Sequence, residues 1–105
     1  MATYAVTFRI GDVTVGGQSY QDRRTRLIEN VRKENGGYWE ETTSFFFVES
    51  SLNTPQFGAR AVGGLSASHD MVVLFDPQDM SACYFGNIKH TDVLLSFLPS
   101  AKKLG

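Results

Sequence analysis

Apolar and polar side chains alternate near the start of the chain, with Tyr4, Val6, Phe8 and Ile10 on one side of an extended segment and Ala5, Thr7 and Arg9 on the other. This period of two predicts a first strand over Tyr4–Ile10. Gly11, Gly16 and Gly17 interrupt it, and the period then lengthens: Tyr20, Arg24, Leu27, Ile28 and Val31 recur at helical spacing, with Arg23, Arg26, Asn30 and Lys33 on the other side. Ser19 suits the N-cap of this helix and Gly36 its C-terminal stop. The run YWEETTSFFFVES, rich in aromatic and β-branched residues and free of Gly and Pro, predicts two short strands reversing near Thr42–Ser44. Thr54 and Pro55 open a second helix carrying Phe57, Ala61 and Leu65 on one side. DMVVLFDP reads as a strand ended by Pro77, SACYFGN as its hairpin partner, and TDVLLSFL as a short C-terminal helix.

The order β, α, β, β, α, β with an added strand and helix predicts an α+β fold, a single ferredoxin-like domain over residues 1–105 whose two main helices share one face of one sheet. FFFV and MVVLF are apolar at every position, so both of their faces need cover. A second copy of the chain is the simplest cover, which predicts a homodimer with Phe45, Phe46 and Phe47 at its interface.

A chain of 105 residues builds one core. Its formal net charge of -1 supplies no bulk attraction to nucleic acid or to a membrane surface. The distribution is mildly uneven: Met1–Gly37 carries six cationic against four anionic side chains, and the remainder four against seven. A lone cysteine, Cys83, excludes an internal disulfide and a cysteine-rich zinc site. MATYAVTF has no basic segment followed by a long apolar run, and no window approaches the roughly 18 apolar residues of a membrane span. The expectation is a cytoplasmic protein without a membrane partner.

Candidate chemistry is sparse. Ser68, His69 and Asp70 are adjacent, and consecutive residues on an extended chain point apart, so they make no relay. His90 stands alone. Cys83 lies among apolar residues with no neighbouring cation to lower its pKa, which predicts a buried, inert thiol. The glycines of GDVTVGG match no phosphate-loop spacing. In DRRTR, Arg23 and Arg26 on an exposed helix face would suit phosphate contacts beside Tyr20 and Trp39, although a solvated face with Asp22–Arg26 and Glu29–Lys33 pairs is the simpler reading given the near-neutral total charge. Asp12, Glu49, Asp70, Asp76 and Asp79 have no metal-ligand spacing. No cofactor or metal is expected.

Taken together, YAVTFRI, DRRTRLIENVRKENG, YWEETTSFFFVES, NTPQF and DMVVLF resemble the small CRISPR-associated endoribonuclease-like proteins of spacer acquisition, and still more the short SinR-like proteins; the virulence-associated protein D toxins share the outline. The resemblance spans nearly the whole chain and implies a ferredoxin-like homodimer. In the nuclease-like members the first strand ends in an aromatic or hydrophobic residue followed by an aspartate that holds a metal near the dimer axis. Aligned on that pattern, Phe8 matches the aromatic and Arg9 takes the aspartate's place. A guanidinium repels a divalent cation, so the family's metal site is lost here. Arg23 with Arg24 matches the family's basic pair, and Ser44 with Phe45 its Ser-aromatic step.

These readings lead to three expectations. The first is a non-enzymatic homodimeric binding module for protein or nucleic acid, with Arg9, Arg23 and Arg26 meeting phosphates. The second is a divalent-metal nuclease using Asp12 in place of the missing strand aspartate, with Ser44 beside the scissile phosphate. The third is a purely structural association domain.

Overall fold

The computed structural model describes all residues, Met1–Gly105. The chain forms β1 (Ala2–Arg9), α1 (Tyr20–Val31), β2 (Tyr38–Trp39), β3 (Phe45–Ser50), α2 (Thr54–Ala61), β4 (Met71–Phe75), β5 (Ala82–Phe85), α3 (Thr91–Phe97) and β6 (Lys102–Lys103). The strands make one open sheet in the order β2-β3-β1-β4-β5-β6. Every neighbouring pair is antiparallel except β5 and β6. No helix is long and apolar enough to cross a membrane.

Strand alternation sorts the side chains onto two faces. Tyr4, Val6 and Phe8 of β1, Phe46 and Val48 of β3, Val72 and Leu74 of β4, and Cys83 and Phe85 of β5 are buried on the first face. Leu27 and Val31 of α1, with Phe57 and Ala61 of α2, close over them in one cluster. Tyr4 stacks on Phe57 with ring centroids 4.2 Å apart, and its hydroxyl donates to the Leu52 carbonyl at 2.6 Å, so the one polar tip in that stack is satisfied.

The helix starts follow their capping chemistry. The Ser19 hydroxyl accepts from the Asp22 amide while the Asp22 carboxylate accepts from the Ser19 amide. Asn53 and Gln56 repeat this box at α2, one residue before the expected Thr54 start, and Pro55 sits in the first turn. Both helices end earlier than expected. α1 stops at Val31, with Asn35 at positive φ in the turn before Gly36, and α2 stops at Ala61, leaving Leu65 beyond its end. The reversal between β2 and β3 runs through Ser44 at φ +58°. Gly86, at φ +97°, lets the chain leave β5 against β4, since a Cβ there would lie 2.0 Å from the Asp70 carbonyl oxygen.

One helix assignment differs from the sequence reading. The buried positions of α1 are Arg23, Leu27, Asn30 and Val31, so the inward stripe includes Arg23 and excludes Arg24. Arg24 instead pairs with Glu40 at 3.2 Å. The C-terminal helix lies on the opposite side of the sheet from α1 and α2. Leu94 of α3 and Ile88 before it share a cleft with Thr7, Arg9, Met71 and Val73, all second-face residues of β1 and β4. The chain then returns as β6 beside β5, a strand that nothing in the polar run Lys102–Lys103 announces.

Candidate binding face

The second face is built in rows by the strand register. Phe45, Thr7, Val73, Tyr84 and Lys103 lie side by side in one row; Trp39, Phe47, Ala5, Phe75 and Ala82 form the next. Arg9 pairs with Met71 at the end of β1. Ala5, Ala82 and Leu98 are buried without belonging to the main core cluster, the trace of a second, thinner apolar layer under the α3 segment. That layer is incomplete. No side chain of α3 is itself buried, and Phe97 is 75% exposed.

Beyond α3, the β2–β3 half of this face is bare. Phe45 and Phe47 meet edge to face with centroids 5.0 Å apart, and Trp39 lies 6.2 Å from Phe47. Such contacts hold aromatic rings in fixed positions with little entropy left to lose on binding. Carboxylates rim the cluster: the Trp39 indole N–H donates to Glu41 at 2.6 Å, and Glu49 follows on the same side of β3. At the other edge of the sheet, Lys102 and Lys103 are exposed. Phe46 belongs elsewhere. It is fully buried in the first-face core, so of the three phenylalanines expected at an interface only Phe45 and Phe47 are on the outer face.

Arg23 is also placed differently from the expectation of a phosphate contact. It is 1% exposed, and its guanidinium donates to both Asp70 oxygens and to the carbonyls of Gly11, Val13 and Gln18 at 2.7–3.3 Å. Asp70 also accepts from the Gly11 and Ser66 amides. Burial works to raise the Asp70 pKa, but the Arg23 hydrogen bond and the Ser66 and Gly11 amides outweigh it and hold the carboxyl below its ordinary value. The pair ties the glycine-containing loop after β1 to the loop before β4. Every N–H of Arg23 is used, so none is left for a ligand.

Arg9 and Arg26 remain exposed. Arg26 lies along Gly64, whose Cβ position falls 3.0 Å from the guanidinium. Arg9 makes no hydrogen bond or ion pair, and it shares this with Lys103 at the far edge of the second face. Asp12 is exposed in the loop beyond β1, and no group of three or more His, Cys, Asp or Glu side chains is placed to hold a metal ion. Ser44 is occupied structurally: its carbonyl accepts the Phe8 amide at 3.1 Å from within the positive-φ turn.

Other reactive groups have local roles. The His69 Nδ1 is 3.0 Å from the Ser66 hydroxyl, while the Asp70 carboxylate beside it is held by Arg23, so serine, histidine and aspartate form no relay. Cys83 is buried against the Thr54 carbonyl, and burial raises its thiol pKa, in keeping with an inert core cysteine. Asp76 caps the β4–β5 turn through the Gln78 amide.

Comparison with protein-family models, with curated proteins and with solved structures finds no match. The reading of function therefore rests on the geometry of the second face.

Proposed function

We propose that this chain is a non-catalytic interaction module that pairs with a second copy of itself through the second face of its sheet. The observation that carries the reading is the stepped shape of that face. Its β2–β3 half is low and aromatic, bearing Trp39, Phe45 and Phe47, while α3 raises the other half and exposes Val93 and Phe97. A two-fold axis running along the strands would set the low half of each copy under the raised half of the other. It would also bring the Glu41 and Glu49 edge of one copy toward the Lys102 and Lys103 edge of its partner. An axis across the strands would place like charges together. The frame that presents this face is read as ferredoxin-like: the order β2-β3-β1-β4, with α1 and α2 on the first face, supports that description, and β5, α3 and β6 are the addition that creates the step.

The resemblance to small nuclease-like proteins supports dimerisation more than nucleic-acid chemistry. Arg9 replaces the family's aspartate, Arg23 is consumed internally, and the aromatic cluster is rimmed by carboxylates that oppose a polyanion. Sedimentation of the full chain at micromolar concentration should give a dimer, and Phe47→Glu and Phe97→Glu should each give a folded monomer. A monomeric wild type would overturn the reading. If that monomer bound single-stranded RNA in a salt-sensitive manner, and lost binding on Arg9→Ala with Arg26→Ala, the face would instead be a nucleic-acid platform.

A further inference from the structure

We propose that the cleft between α3 and the sheet is a binding site for a small carboxylate with a short apolar body, such as a short-chain fatty acid or a single-ring acid. The cleft has a volume of about 220 Å³ and is walled by Met71, Val73, Ile88 and Leu94, with Thr7 and Arg9 at its β1 side. It is smaller than the 300–1,000 Å³ typical of drug-sized ligand sites, so the body it accepts is a few methylenes or one ring.

Arg9 sets the charge of the ligand. It borders both this apolar cleft and a contiguous polar recess formed with Ser68, His69 and Asn87. Thus one cation with no protein partner stands where apolar wall gives way to hydrogen-bonding groups. A carboxylate is the head group that a free guanidinium recognises in two-point geometry, and the polar groups beyond it are suited to the second lone pairs. Asp70 also lines the recess, but its charge is neutralised by Arg23 and its oxygens accept the Gly11 and Ser66 amides, so it does not compete for Arg9.

The placement also explains why an arginine occupies the end of a strand otherwise made of apolar and small residues. The side chain lies on the thinly covered face and borders both the cleft and the recess, where a long aliphatic stem and a charged tip can serve the two environments. α3 suits a wall that yields to a ligand, because none of its own side chains is buried and its first residue has no side-chain cap.

The test is a titration of the ¹⁵N-labelled full chain with sodium hexanoate and, separately, hexanamide, which has the same body without the charge. Hexanoate should shift the amides of Met71, Val73, Ile88 and Leu94 and bind roughly tenfold tighter than hexanamide. Arg9→Gln should bring the two affinities together, Arg9→Lys should keep most of the preference, and Leu94→Trp, which fills the cleft, should remove both. Shifts confined to the Trp39 and Phe47 surface, no shifts at ~10 mM hexanoate, or an unchanged preference in Arg9→Gln would each overturn the assignment. A dispersed, wild-type-like spectrum of each variant without ligand confirms that loss of binding is not loss of fold.

Discussion

Phe46 and Phe47 are consecutive residues on β3, yet one is fully buried and the other 40% exposed. The difference comes from what lies over each face of the sheet. The first face is closed by two capped helices that each contribute apolar residues to a single cluster. The second is half closed by α3, seven residues long, which buries none of its own side chains. One side of the same strand therefore serves stability, and the other is left open to solvent. The arginines repeat the contrast: Arg23 spends five hydrogen bonds holding two loops together, while Arg9 spends none.

The sharpest way to break this contrast is to truncate the two phenylalanines separately. Phe46→Ala should cost about 3–5 kcal/mol, because it removes a ring from a cluster closed on all sides and leaves a cavity. Phe47→Ala should cost about 1 kcal/mol or less in a monomer, reflecting only its contacts with Phe45 and Trp39. Urea melts at a concentration low enough to keep the chain monomeric would measure both. Equal losses would mean that the second face is as well packed as the first.

The arginine pair gives the next effect. Asp70→Asn should destabilise the fold by about 3 kcal/mol, the lower end of the cost of breaking a buried ion pair, since asparagine still offers an acceptor to the Gly11 amide. Arg9→Gln should change stability by no more than ~0.5 kcal/mol, as for other exposed sites without partners. Thermal denaturation of the two variants beside wild type checks the prediction. A large loss in Arg9→Gln would show that Arg9 has a structural partner.

Much of the first face is legible in the sequence, and much of the second is not. The alternation of Tyr4, Val6 and Phe8, the capping of Ser19 and the β4–β5 hairpin all depend on neighbours a few residues apart. The interior position of Arg23 depends on Asp70, 47 residues away, and a helical periodicity that treats arginine as polar assigns the inward place to Arg24 instead. The run FFF is apolar throughout, so only the pairing register separates Phe46 from its neighbours. The side of the sheet taken by α3 follows from a β5-to-β6 crossover whose final strand consists of two lysines, and no local pattern marks it. The cleft beside Arg9 is a product of that crossover and shares its illegibility.

The smallest effect concerns how α1 is fastened to the rest of the first-face layer. Glu34, just past the end of α1, accepts from the hydroxyls of Ser50 and Ser51, the Ser51 amide and the Arg60 guanidinium, joining the end of β3 and α2. The Ser50 and Ser51 bonds lead in lowering its pKa from an ordinary 4.5 to about 2. Because the folded value is depressed, the stabilisation from Glu34 is fully present above pH 4.5 and is lost as pH falls toward 2. Glu34→Gln should therefore lower stability modestly at neutral pH and flatten the decline in wild-type stability between these two values. Arg9→Gln should leave the shape of that decline unchanged, since Arg9 touches no carboxylate of the fold. Denaturant melts from pH 7 down to pH 2 would separate the cases: a Glu34→Gln curve parallel to wild type would remove Glu34 from the groups that fasten the helical layer.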